Sequence, residues 1–287
     1  MKIATVSAAG ERCVGQIAKE GTSIALFDLA LSEAQDGVLA LIRRSGVMPP
    51  PLSPAPRCQV TIEPPRRNIF CVGKNYYEHA HEFARSFFDT GSAKGAVPDN
   101  PIMFSKLPES VFACADAVVT DPKVSKAVDY EAELAVIVGK AGRSIDAKNA
   151  FNHVWGYTVI DDVTVRDLQA HHSHWLIGKS QATFCPKSPF AVTCDEIDIG
   201  NAPRECCGNG ELRQSSNTGL LIFDIPKIIE TLCAGITLQP GDVIATETPA
   251  VVGVGSDPPK YLEGGDAVRI EIGGIGILEG QIEESTA

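Results

Sequence analysis

Long apolar runs are missing from this chain, and with them the roughly 18 residues that a membrane-spanning helix needs. A basic surplus is missing too. Lys and Arg number 25 against 36 Asp and Glu, a formal net charge of −11, which argues against a nucleic-acid footprint. The start, MKIATVSAAGERCVGQ, has no long apolar stretch ahead of a small-residue cleavage site, so no secretory signal is expected and the chain is read as cytoplasmic. None of the nine cysteines forms a C-x-x-C pair, which disfavours a zinc ribbon or a thioredoxin-like motif. The thiols read instead as reduced, mostly buried small hydrophobes. No Gly-rich phosphate loop, dinucleotide fingerprint or internal repeat is present, and VGVG at 252–255 reads only as a loop signal. A regular alternation of strands with long helices is also lacking, which disfavours a doubly wound sheet and a βα-barrel.

What is there suits an ordinary globular chain. Its 287 residues are 44% hydrophobic and 21% charged, enough to bury a substantial core in one large domain or a main domain with a small appendage. Residues 2–7, 12–17 and 23–27 alternate as strands. A short helix is expected next, capped by Ser32 with Gln35 at the reciprocal position, and with Ala34, Val38 and Ile42 every four residues. Five prolines between Gly46 and Cys58 predict a stiff linker without regular structure. Residues 1–62 are therefore read as a small β-rich cap, and 63–287 as the catalytic domain. There, 68–73, 134–138, 157–160, 190–193, 242–246 and 267–272 are short apolar strand candidates, punctuated by turns such as Asn209-Gly210 and Pro240-Gly241. Helices are few there, with 146–153 and 226–233 as candidates, the latter with Pro226 in its first turn. The fold class is mainly β (α+β) with few short helices.

The run Asp129-Tyr130-Glu131-Ala132-Glu133, leading into LAVIVGK, carries the chemistry. On a strand alternate side chains share a face, so Glu131 and Glu133 point together and Asp129 can join them. Like-charged carboxylates held side by side repel unless something neutralises them, and oxygen ligands suit Mg²⁺, Ca²⁺ or Mn²⁺ better than zinc. Asp161-Asp162, at the end of the apolar stretch GYTVI, offers a third carboxylate. The alternative reading puts both glutamates on a solvated edge strand.

In order along the chain, NIFCVGKNYYEHAHEF, PIMFSK, DYEAELAVIVGK, GYTVIDDVTVRDLQ, GKS, NGELRQSSNTGLLIFDIP and LQPGDVIATETP resemble the fumarylacetoacetate-hydrolase family, from about residue 67 to the end. The resemblance implies a mixed β-roll, commonly dimeric, so a homodimer is expected. It implies metal ligands at Glu131, Glu133 and Asp162, a catalytic His79–Glu82 pair and an active-site Lys179. Arg166, Gln169, Thr248 and Lys106 are implied as substrate contacts. The divalent cation expected is Mg²⁺, with Mn²⁺ or Ca²⁺ as alternatives.

The substrate implied is a small keto acid or diketone, in catabolism such as aromatic-compound degradation. The cation would polarise it, and His79, three residues from Glu82 on a helix, would activate water for C–C bond hydrolysis of a 2,4-dioxo acid. Decarboxylation, as of oxaloacetate, or lyase, isomerase or hydratase chemistry on keto acids is the second reading; a catalytically silent metal-binding protein is the third. Arg166 can alternatively pair with Asp167. His171, His172 and His174 complete no zinc pattern and are expected to pack or face solvent. A segment at 76–98 is read as a lid that closes over the site. Two departures from the family stand out. Its T-G-T-P turn reads Thr246-Glu247-Thr248-Pro249, and its P-x-G-V-G reads Pro249-Ala250-Val251-Val252-Gly253. Glu247 either points to solvent, the favoured expectation for a turn, or disfavours a substrate carboxylate.

Overall fold

A computed structural model of the chain describes residues 1–8, 10–18, 23–44, 49, 51–54, 59–60, 65–86, 97–113 and 116–286, with the backbone alone at 51–54 and 59–60. Strands dominate, in mixed sheets with few helices, as the alternating patterns led one to expect. Among the described residues the larger sheet has 13 strands. At its heart Ala132–Val138 runs antiparallel to Val154–Asp161 on one side and Val243–Ala245 on the other. Every residue of Ala132–Val138 is buried, which is why it reads as a nearly unbroken apolar run. Ile69–Gly73 follows, parallel to Val243–Ala245, and then Ile102–Lys106 antiparallel to it.

A second sheet of five strands includes Pro203–Gly208, Ala267–Ile272 and Gly276–Glu284. Leu134, Val136 and Val159 from the first sheet join Ile270, Ile272 and Leu278 from the second in one buried cluster. Each such side chain contributes about 1.5–3 kcal/mol on leaving water. This core makes the strand ends rigid supports for the polar residues that follow them.

The N-terminal strand Lys2–Ala8 pairs with Phe190–Thr193, Lys2 opposite Val192, so the first strands extend the larger sheet. The helix Val38–Arg43 buries Leu39, Leu41 and Ile42 in a cluster with Ile3, Val14 and Ile137. Two local expectations change. The helix begins at Leu31, before Ser32, with Ala30 at its N-cap and Glu33 Oε2 accepting from the Ala30 N–H at 3.2 Å. Gly37, at φ 57, then breaks it from Val38–Arg43, because that backbone region suits glycine and not a continuing helix.

The prolines do not abolish regular structure either. Pro51–Pro54 pairs with Ile24–Phe27 at the end of the sheet, where a missing N–H interrupts no inner ladder. The rest of the expected linker, 45–48, 50 and 55–58, lies outside the described residues, as does 87–96 of the expected lid. The two expected helices are present, one as a 3-10 stretch Ala147–His153 and the other as Ile225–Cys233. Asp224 caps the second by accepting from the Lys227 N–H at 2.9 Å. Among the described residues no helix is long and apolar enough to cross a membrane.

Candidate active site

Glu131 stands immediately before the central strand and Glu133 within it, while Asp162 follows the neighbouring strand Val154–Asp161. Two hydrogen bonds, one to a side chain and one between backbones, bring these segments together. The Glu131 N–H donates to Asp161 Oδ1 at 2.8 Å, and the Glu131 carbonyl accepts from the Asp162 N–H at 2.9 Å. Glu131, Glu133 and Asp162 each offer an oxygen within 4.8 Å of the others, and all three are buried. The solvated edge-strand reading therefore falls, because the strand lies in the middle of the sheet. Asp129 does not join them. The strand ladder is interrupted between Val128–Asp129 and Ala132–Val138, which breaks the alternation, and Asp129 pairs with Arg166 Nε at 2.8 Å.

Three buried cations hold the acidic cluster together. Lys179 Nζ bridges Glu131 Oε2 at 2.6 Å and Asp162 Oδ2 at 2.8 Å. Lys106, wholly buried, donates to Asp162 Oδ1 at 2.6 Å, to the Val163 carbonyl at 3.1 Å and to the Lys179 carbonyl. Arg166 Nη1 meets Glu131 Oε1 at 2.6 Å and Gln169 Oε1 at 3.1 Å. Arg166 thus pairs with Asp129 and Glu131, and not with Asp167, which accepts from Ser125 at 2.9 Å.

Burial disfavours charge on Glu131, yet Lys179 and Arg166 hold its carboxyl down at about 2. Burial also works against the Lys179 ammonium, but Asp162 and Glu131 keep its pKa above the ordinary lysine value. Glu133 differs: burial, then Asp162, Glu247 and Glu131 as like charges, push its carboxyl well above the usual range. Its Oε1 is buried without a hydrogen-bond partner among the described residues.

That orphaned oxygen is the test of whether a cation fits. Three converging carboxylates are a hard-oxygen donor set, the Lys179 ammonium already sits against two of them, and the third has an acceptor unused. The triad can hold a divalent metal.

His79 and Glu82 lie on the helix Tyr77–Arg85, both buried. His79 Nδ1 is 3.4 Å from Glu82 Oε2. Glu82 makes shorter bonds to the Val251 N–H, 2.9 and 3.0 Å to its two oxygens. Glu247 overturns the solvent expectation. It is 3% exposed and its Oε1 lies 3.3 Å from His79 Nε2. Burial pushes its carboxyl up to about 7, with His79 opposing. The turn is kept although its glycines are gone: Glu247 has φ 94 and Val251 φ 70.

A cavity of about 10 Å³, close to the space of one water, is walled by His79, Glu131, Arg166, Gln169, Lys179 and Glu247. Phe83, Phe104 and Trp175 close its apolar side. The Trp175 indole packs so tightly on Gly73 that a Cβ there would lie 2.6 Å away. Larger cavities of about 280 and 640 Å³ open elsewhere, but neither contains the converging carboxylates.

Thr248 and Lys106 do not line the small cavity; Thr248 Oγ1 accepts from Gln214 Nε2 at 3.0 Å. His171, His172 and His174 are exposed. Sequence reasoning missed the use of the VGVG loop, where the Gly253 and Val254 N–H groups donate to Asp129 at 2.6 and 3.0 Å. It also missed Trp175 and Arg204, whose positions carry no local motif.

Comparison with known proteins gives consistent matches. The family model described as fumarylacetoacetate (FAA) hydrolase, C-terminal, matches residues 68–283. An oxaloacetate tautomerase from Bacillus subtilis, YisK, is 44% identical over 222 residues, covering 77% of this chain and 71% of that protein. A mitochondrial oxaloacetate tautomerase from Bos taurus, FAHD2B, is 38% identical over 252 residues, 86% of this chain and 76% of that one. Among solved structures, a fumarylacetoacetate hydrolase from Exiguobacterium antarcticum superposes with a TM-score of 0.84 at 36% identity, covering 99% of this chain and 100% of that one. The ordered motifs, the mixed-sheet fold and these matches agree: the chain is an enzyme of the fumarylacetoacetate hydrolase family.

Proposed function

We propose that the enzyme interconverts the keto and enol forms of a short 2-oxo dicarboxylic acid of the oxaloacetate type. The observation that carries this is Arg166 Nη2, which is buried without a hydrogen-bond partner among the described residues. Arg166 walls the same small cavity as Glu131, Lys179 and His79. An unpaired buried guanidinium N–H is costly and calls for an acceptor, which a substrate carboxylate supplies. A 2-oxo acid end directed at the carboxylate triad and a second carboxylate directed at Arg166 describe a short dicarboxylate.

Glu131, Glu133 and Asp162 would hold the cation, with Mg²⁺ the proposed ion and Mn²⁺ or Ca²⁺ the alternatives. A divalent ion there supplies Lewis acidity, favouring negative charge on the oxygens of the 2-oxo acid. The chain's own groups do the rest. Lys179 offsets charge between Glu131 and Asp162. Phe83, Phe104 and Trp175 give the cavity an apolar wall. The His79–Glu247 pair on the cavity wall moves the proton, taking it from the carbon next to the keto group while the electron pair forms the enol double bond. A proton then arrives on the keto oxygen; no heavy-atom bond breaks and no water is consumed.

C–C hydrolysis, the first preference from sequence, becomes the second reading. The two tautomerase relatives support proton transfer over it. The division at 62/63, the homodimer and the cytoplasmic location stay proposals, the last because the Bos taurus relative is named mitochondrial. The test is stopped-flow decay of the enol absorbance of oxaloacetate with Mg²⁺ or Mn²⁺. Catalysis should vanish with EDTA and in Asp162→Ala. A rate that survives chelation would sink the reading.

A further inference from the structure

Glu247 stands against the ring nitrogen of His79 that Glu82 does not face. Its backbone is held on both sides: the N–H donates to Glu133 Oε2 at 2.8 Å, and the carbonyl accepts from the buried Arg204 Nη1 at 2.9 Å. At φ 94 the residue adopts a conformation that disfavours any non-glycine side chain, so the surroundings hold it there. The side chain is thereby directed inward to His79 Nε2, 3.3 Å from Oε1. The other ring nitrogen already faces Glu82, which the Val251 N–H holds in place. Both nitrogens of His79 therefore face carboxylates, while the ring borders the small cavity.

We propose that Glu247 fills the water site at His79 Nε2, and so confines the pair to proton transfer and suppresses C–C hydrolysis of 2,4-dioxo acids. The inference rests on the site reading given above. The suppressed reaction balances as follows. The water oxygen bonds to the acyl carbonyl carbon while His79 takes a water proton. The bond from that carbon to the neighbouring CH₂ breaks, its electron pair stays on the CH₂ carbon, and a proton adds there. Acetylpyruvate and water would give acetate and pyruvate. With the carboxylate of Glu247 against Nε2, a water in the small cavity does not meet that nitrogen to begin this sequence.

The experiment compares the full-length, Mg²⁺-loaded wild type with Glu247→Gly and Glu247→Gln. Glycine suits φ 94 and opens the water site; glutamine keeps it filled. One readout is pyruvate release from acetylpyruvate. The other, made without metal, is ¹⁵N-histidine NMR of solvent exchange at the His79 Nε2 proton. Glu247→Gly should hydrolyse acetylpyruvate faster than wild type by on the order of a hundredfold, the reach of general-base catalysis, with rapid exchange at Nε2. Wild type and Glu247→Gln should stay slow in both. A glycine variant that hydrolyses no faster than wild type, or that leaves exchange unchanged, overturns the proposal. Oxaloacetate tautomerisation by the wild type is measured in parallel. Its absence counts against the proposed function, whereas the glycine variant alone decides water exclusion.

Discussion

Lys106→Met tests whether the buried lysine beneath the carboxylates acts as a charge clamp or as a substrate contact. The ammonium is wholly buried and makes three donor contacts, the shortest charge-paired one to Asp162 Oδ1 at 2.6 Å. Methionine keeps the length and removes the charge, leaving Asp162 with Lys179 as its cationic partner. Removing one partner of a buried ion pair costs about 3–5 kcal/mol. For a chain of this size each kcal/mol moves Tm by about 2–4 °C, so the expected fall in EDTA is about 6–20 °C. A cation bound only by the folded state stabilises it by about 2.7 kcal/mol at a hundred times its Kd. In the variant it also restores lost positive charge beside Asp162, so Mn²⁺ should raise its Tm more than that of wild type. The assay is a pair of thermal melts, each with EDTA and with saturating Mn²⁺. A variant melting within about 2 °C of wild type in EDTA, or equal Mn²⁺ shifts in both proteins, would refute the charge-clamp argument.

Gly255→Ala places a Cβ 1.9 Å from Glu82 Oε1, so Glu82 must leave the Val251 N–H. We expect a loss of about 1–3 kcal/mol in urea unfolding and faster amide exchange over Tyr77–Arg85; unchanged exchange there would contradict the contact. Asp129→Asn weakens the acceptor of Arg166 Nε and of the Gly253 and Val254 N–H groups. It should destabilise by about 3 kcal/mol and raise exchange at 252–255, whereas a neutral effect in both measurements would show that Asp129 does not hold that loop.

Much of the site could be read along the chain because its residues travel in local motifs. Glu131 and Glu133 are two apart, His79 and Glu82 three apart, and Asp162 closes an apolar strand. These spacings reflect strand and helix periods. What was not legible came from contacts distant in sequence. Glu247 reads as a turn residue in isolation, yet it is buried against His79, 168 positions away by number. Asp129 has the same parity as Glu131 and Glu133, but the interrupted ladder at Tyr130–Glu131 turns it to Arg166 and the VGVG loop. The proline-rich stretch erred in the opposite sense, since edge position decides whether a missing N–H matters.

Composition and periodicity were enough to argue against a membrane-spanning helix, and none is present among the described residues; the ordered motifs were enough for the family and its acidic triad. These are properties of short segments, fixed by side-chain chemistry and by the repeat of strand and helix. Which cation neutralises which carboxylate, how small the cavity is, and which way Glu247 points were settled when the strands assembled. They depend on where separate strand ends meet around one core, and on the burial that makes each unpaired charge there costly.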